Sequence, residues 1–258
     1  MTRTLDYLPS RDGLALLTGG PTQAGYAASA LAYPSQIWMP RHPWVAQAGG
    51  GSVLDTDTIG FVDPEAGGWS PFEINGGGNL LIKLRKAADV GVTLNNQYTG
   101  TPVEWVSGFL CTRHRLVQTH GAFEVRMRVP SGANLLPAFW LLAEDEAWPP
   151  EIYTEWDGEA EQAFLGTVTT GPLRIDNSVT VSGLDDGAMH EWVIKWRAGL
   201  AQLWIDGTLA SSQDLGTRPI SESMYLIVSF GILGTTDGTT PTTADVEVEH
   251  VRAWRYAA

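Results

Sequence analysis

Residues 122–130 read Ala122-Phe123-Glu124-Val125-Arg126-Met127-Arg128-Val129-Pro130. Phe123, Val125, Met127 and Val129 fall on one side of an extended chain, and Glu124, Arg126 and Arg128 on the other, because successive side chains of a strand point to opposite faces. A strict period of two predicts a half-buried strand and excludes an amphipathic helix here. The reading extends both ways. Residues 78–86 (GNLLIKLRK) and 137–143 (PAFWLLA) are apolar runs of strand length, and 191–197, 201–207, 224–230 and 245–256 complete the set. Asp206-Gly207 is a strong hairpin turn, and Arg197-Ala198-Gly199 a weaker one. Only residues 23–31, Ala-rich and following Pro21 and Thr22, read as helix. Many short strands with turns between them predict an all-β chain. Its apolar faces are covered by stacking two curved antiparallel sheets into a β-sandwich jelly roll. Residues 1–34 are loop-like, with several Gly and Pro, and are read as an N-terminal arm packed on the sandwich; residues 35–258 are read as one jelly-roll domain.

Composition narrows the function. Of 258 residues, 16 are Lys or Arg and 29 are Asp or Glu, a formal net charge of −13. No counterion release would drive such a surface onto a phosphate backbone, so a nucleic-acid partner is excluded. The single Cys111 excludes a disulfide framework, and with five scattered His it leaves a Cys-rich zinc site out of reach. The longest near-apolar stretch, 224–233, is too short to span a bilayer, so no membrane partner is expected. The start carries Asp6 and Asp12, and its apolar run is only 14–17 before Gly-Gly-Pro, so no export signal is read there. Eleven Trp are more than a core of this size ordinarily needs, since each must place an indole N–H as well as bury a large ring. Aromatic rings also line sugar-binding clefts. The Gly clusters at 49–51 and 76–78 are turn material; neither lies between a strand and a helix as a phosphate loop must.

Residues 148–158 carry the chemistry: Trp-Pro-Pro-Glu-Ile-Tyr-Thr-Glu-Trp-Asp-Gly. On a strand, Glu151, Tyr153 and Glu155 share one face, and Ile152, Thr154 and Trp156 share the other. The two carboxylate-bearing Cα atoms would be about 13 Å apart on a flat strand. A concave sheet lets the side chains lean together, toward the roughly 5–5.5 Å separation of a nucleophile and acid/base pair in retaining glycosidases. Two Glu on a strand are also an ordinary solvated face, so spacing alone leaves both readings open.

The context resembles the family 16 glycoside hydrolases, the group of lichenases, laminarinases and xyloglucan transglycosylases. Their signature is a strand reading Glu-x-Asp-x-Glu; this chain has Glu151-Ile152-Tyr153-Thr154-Glu155. Residues 107–132, 137–142, 189–209, 224–234 and 246–256 are similar, in order, to further segments of the family. The resemblance covers residues 80–256 and implies a concanavalin A-like jelly roll. It implies a retaining endo-glycosidase acting on a polysaccharide, with Glu151 as nucleophile and Glu155 as acid/base. Trp140 maps to an aromatic wall of the cleft and Trp196 to a second cleft Trp, both expected to stack on sugars. Trp192, Trp156 and Arg126 are further binding candidates. Core packing of the two Trp, and a cross-strand ion pair for Glu124 and Arg126, are the competing readings. No cofactor is implied. Many family members hold one structural calcium away from the cleft, and Glu249 falls near that position. The chain is expected to act as a monomer or within a larger assembly, outside cells or on a phage.

The chain departs from the family in three places. Tyr153 replaces the Asp that tunes the nucleophile. A neutral phenol donates one hydrogen bond and cannot share a proton as Asp does. Its hydroxyl is expected either to donate to Glu151 or to leave the ring filling the sugar site. Val168 and Thr169 stand where the family often has His, and Ser229 where it has Asn. A weakly active or inactive carbohydrate-binding or adhesion protein on the same scaffold is therefore the alternative. A Ser-His-Asp triad lacks its Gly-x-Ser-x-Gly elbow. Cys111, three residues from His114, is read as a buried strand Cys.

Overall fold

Trp156 of one sheet meets Trp192 of another edge-on, ring centroids 6.3 Å apart, and the molecule is layered around contacts of this kind. The computed structural model describes residues 38–40, 51–53, 59–64, 68–145, 148–158, 160–169, 173–233 and 238–254. The expected arm at 1–34 and helix at 23–31 lie outside them. In chain order the strands are β1 (Gly51–Ser52), β2 (Ile59–Val62), β3 (Phe72–Ile74), β4 (Leu80–Lys86), β5 (Trp105–Ser107) and β6 (Phe109–Cys111). Then come β7 (Val117–Gln118), β8 (Gly121–Arg128), β9 (Leu135–Ala143), β10 (Glu151–Asp157), β11 (Gln162–Thr169) and β12 (Leu173–Thr180). The last are β13 (His190–Arg197), β14 (Leu200–Ile205), β15 (Thr208–Asp214), β16 (Met224–Ile232) and β17 (Thr243–Trp254).

These strands form two sheets. The ten-stranded sheet runs β1-β2-β5-β4-β17-β8-β13-β14-β15, with β3 on β4; the seven-stranded sheet runs β12-β11-β10-β9-β16-β6, with β7 on β16. Apart from the parallel pair β2 and β5, the pairings are antiparallel. The chain folds as the jelly-roll sandwich that its alternation predicts. No helix among the described residues is long and apolar enough to cross a membrane.

Alternation decides what faces inward. Phe123 and Val125 of β8 and Ile194 of β13 pack from the ten-stranded sheet, against Phe139, Ile152 and Leu165 from the seven-stranded one; all are fully buried. Each such side chain contributes about 1.5–3 kcal/mol by leaving water. The polar face of β8 is less open than its sequence suggests. Glu124 is 6% exposed, because β17 lays His250 Nε2 and Arg252 Nη1 each 2.9 Å from its Oε1. The competing reading of Glu124 and Arg126 as cross-strand ion pairs holds. Cys111 is buried on β6, and burial pushes its thiol up to about 12.

One buried polar bridge ties the layers. Gln213 of β15 donates from Nε2 to the carbonyls of Leu165 (2.5 Å) and Ile175 (3.0 Å), and accepts from Thr167 Oγ1 at 2.6 Å. The ten-stranded sheet thereby holds the backbone of β11 and β12. β10, which carries the paired carboxylates, lies between β9 and β11.

Candidate active site

Register places the site row by row on the face of the seven-stranded sheet turned away from the core. Ile152, Thr154 and Trp156 are at most 1% exposed in the core, so strand parity sends Glu151, Tyr153 and Glu155 outward together. Glu151 lies opposite Leu142 and Val168, Tyr153 opposite Trp140 and Gly166, and Glu155 opposite Ala138 and Phe164. One strand further, β12 sets Arg174 opposite Val168, and Asp176 opposite Gly166.

Glu151 accepts a hydrogen bond from Trp148 Nε1 at 3.0 Å. Burial raises its pKa, while the Trp148 donor and the Arg174 charge oppose that rise. Glu155 is raised to about 7, first by burial and then by the charge of Glu151, with Arg174 lowering it and Asp176 raising it. The pair is arranged so that ionising both at once is disfavoured. An N–H aimed at Glu151 favours that residue as the ionised member.

Tyr153 does not make the bond to Glu151 that was one of its two expected roles. Its hydroxyl donates to Asp176 Oδ1, not to Glu151, and its ring is 4% exposed. The reason is reach and space. The ring crosses β11 over Gly166, where a Cβ would sit 1.8 Å from the Tyr153 Cζ, and delivers its hydroxyl to the next strand. There Arg174 Nε donates to the other Asp176 oxygen at 2.8 Å. The Arg174 guanidinium carbon stands 5.2 Å from the centre of the Tyr153 ring. Desolvation and the Asp176 bond both push the phenol pKa up, so it stays protonated and donates.

The binding candidates separate. Trp140 lies on the site face beside Tyr153, 9% exposed, and donates from Nε1 to Ser229 Oγ at 3.1 Å. Trp196 does not line the site. It is fully buried on the inner face of β13, donating to the Ile220 carbonyl at 3.1 Å. Trp192 and Trp156 are buried against each other between the sheets, so no sugar can stack on these three. The inner face of β13 takes Trp192, Ile194 and Trp196 because a strand two layers deep needs large apolar surface. Arg126 is also elsewhere. It lies on the ten-stranded sheet, its Nε donating to Glu249 Oε2 at 2.9 Å. Glu249 meets Arg126 and, at 3.4 Å, His250 Nδ1; two nitrogen-bearing neighbours do not suit a calcium ion, which takes oxygen ligands.

Sequence reasoning missed Trp148, Gly166, Arg174 and Asp176. Trp148 is 62% exposed and leads into β10 through cis peptides at Pro149 and Pro150. The signal for Gly166 was a glycine inside a strand pattern, which often marks a close approach of another group. Arg174 and Asp176 alternate on a short strand, but which row they join depends on pairing that local sequence does not encode.

Comparison with known proteins finds relatives in sequence and in fold. An endo-1,3-1,4-beta-glycanase of Rhizobium meliloti strain 1021 is 26% identical over 231 residues, covering 85% of this chain and 48% of its own length. A beta-glucanase of Rhodothermus marinus is 24% identical over 216 residues, 70% of this chain and 69% of that protein. The chain thus spans about half the length of the first of these curated relatives. Among solved structures, the catalytic domain of a Thermotoga petrophila endo-1,3-beta-glucanase superposes with a TM-score of 0.65 at 18% identity, covering 78% of this chain and 84% of that one. The structure of LamAcat from Zobellia galactanivorans gives 0.65 at 20% identity, over 84% of this chain and 90% of that one. These likenesses show a shared fold. Residues 75–249, more than half of the chain and including the whole carboxylate strand, match the glycosyl hydrolases family 16, and the chain belongs to that family.

Proposed function

We propose that this chain is a retaining endo-β-glucanase that cuts internal β-1,3 or mixed β-1,3-1,4 linkages of a polysaccharide. The observation that carries the reading is one strand face holding two coupled carboxyl groups, one aligned by an indole donor and the other raised to about 7. Glu151 attacks the anomeric carbon while Glu155 gives its proton to the departing glycosidic oxygen, leaving a covalent glycosyl–enzyme ester. Glu155, now ionised, takes a proton from water as that water attacks the same carbon; Glu151 leaves as carboxylate and the pair is reset. A pKa near the working pH suits a group that must act as acid and then as base. The relatives' named activities on 1,3- and 1,3-1,4-β-glucans supply the substrate class. The exposed ring of Trp148, fixed at its N–H by Glu151, offers a sugar-stacking surface at the reacting centre. Trp140, largely buried, supports the floor.

The test is reducing-sugar release from soluble β-1,3-glucan and β-1,3-1,4-glucan, with Glu151→Gln as the blank. Wild type is expected to release a ladder of oligosaccharides, first as the β-anomer, and Glu151→Gln to lose at least about 10³-fold. Equal release by both proteins, or none by either, defeats the reading.

A further inference from the structure

The residue between the two carboxylates does no direct work on either of them: its proton goes to Asp176. Three rows cross the site. Arg174 lies in the row of Glu151, Asp176 in the row of Tyr153, and Ser178 in the row of Glu155. Among the described residues, the titratable and charged groups on this face of the neighbouring strands are few. β10 adds Tyr153 and, at its end, Asp157, which accepts from Ala160 N at 3.2 Å. β9 gives Ala138, Trp140 and Leu142, and β11 gives Phe164, Gly166 and Val168, none of which titrates. β16 gives Tyr225, fully buried and two strands from Glu151. β12 alone brings formal charge of both signs, from Arg174 and Asp176.

The Asp176 carboxylate is committed at both oxygens, one to the Tyr153 hydroxyl and the other to Arg174 Nε. The same two partners touch each other, guanidinium over ring. Three side chains from two strands therefore fix one another across a glycine that leaves room for the ring. Their backbone is held independently, because Gln213 anchors the Ile175 carbonyl between Arg174 and Asp176.

We propose that Asp176 is a positioning residue for the carboxylate pair: by binding the Tyr153 hydroxyl and the Arg174 guanidinium together, it locks the floor of the site and sets one cation against Glu151 and Glu155. This rests on the reading of those two Glu as the catalytic pair. The electrostatics agree in sign. Arg174 lowers the pKa of both Glu, and Asp176 raises both, moderating the cation that it holds. Together with burial and the charge of Glu151, the balance leaves Glu155 raised to about 7. A site strand without a carboxylate at its centre thus recovers one from two strands away.

The experiment is a carboxyl carbon NMR titration of protein labelled at Glu, with Glu151→Gln and Glu155→Gln identifying the signals. Asp176→Asn frees Arg174 from its counter-charge, and the Glu155 midpoint is expected to fall by on the order of one pH unit. Arg174→Gln removes the cation, and the midpoint is expected to rise by a similar amount. Arg174→Lys keeps the charge and is expected to titrate like wild type. The alkaline limb of glucan hydrolysis should move with the midpoints, down for Asp176→Asn and up for Arg174→Gln. Midpoints that stay in place in both variants, or move the same way, overturn the proposal; a purely structural contact would give one of those results. If wild type releases no sugar while the midpoints move in opposite directions, the glucanase reading fails and the role of Asp176 stands.

Discussion

A methyl group on residue 166 would land inside the Tyr153 ring, 1.8 Å from Cζ. Gly166→Ala must therefore push the ring off β11 and break its bond to Asp176. We expect a loss of about 1–3 kcal/mol, as for other overpacked sites, read as a lower urea midpoint. Glucan hydrolysis should fall with it, whereas Tyr153→Phe keeps the ring in place and the stability nearer wild type. Glu155 has a second consequence. Its folded pKa is raised from 4.5 to about 7, so folding favours its protonated form. That contribution is full below the unfolded value and is lost as pH rises through about 7. Glu155→Gln is thus expected to be inactive yet more stable than wild type by on the order of 1 kcal/mol at alkaline pH, with the gap closing in acid; thermal melts across pH measure it. Hydrolysis by wild type should decline above about 7, where Glu155 gives up its proton. The sequence made Glu151, Tyr153 and Glu155 legible as one face because parity along a strand is local. It could not show where the Tyr153 hydroxyl goes, since Asp176 lies 23 positions away and meets it only through register.

Between strands, charge is handled in pairs. β8 and β17 join along one edge of register, and Glu124 is buried in that seam between His250 and Arg252. Replacing it by Ala would leave two nitrogen-bearing partners facing a buried gap. The expected cost is about 3 kcal/mol, the range for breaking a buried ion pair from one side, seen as a lower urea midpoint with an unchanged slope. The apolar half of β8 was legible from its alternation, because water sorts such a strand without reference to its neighbours. The burial of Glu124 was not, since it depends on which strand lies alongside. Trp156, Trp192 and Trp196 miscarried for a related reason. A large aromatic ring suits a sheet core and a sugar cleft alike, and its residue type does not distinguish them. Trp148 shows the reverse: it sits outside the strands, exposed, and its indole N–H donates to Glu151.

Across the whole molecule, the two sheets share polar as well as apolar contacts. Gln213→Leu would fill a similar volume but remove the donor to the Leu165 and Ile175 carbonyls and the acceptor of Thr167. Each buried group left unmatched costs about 1–3 kcal/mol. We expect a clear drop in melting temperature and, because β12 loses its tie, a lower turnover number with little change in KM. The two-sheet layering was predictable from strand count and turn spacing. The order of strands within each sheet was not, because strands far apart in sequence become neighbours. The most distant case is β17, which lies between β4 and β8 in the middle of the ten-stranded sheet. On a ribosome, residues 80–86 and 121–128 emerge long before residues 243–254 exist to bridge them. Until then two central strands present open edges, the form of exposed backbone that recruits other chains. Synthesis must reach the last of these strands before the sheet can close, which favours closure after emergence from the tunnel over stepwise folding during it.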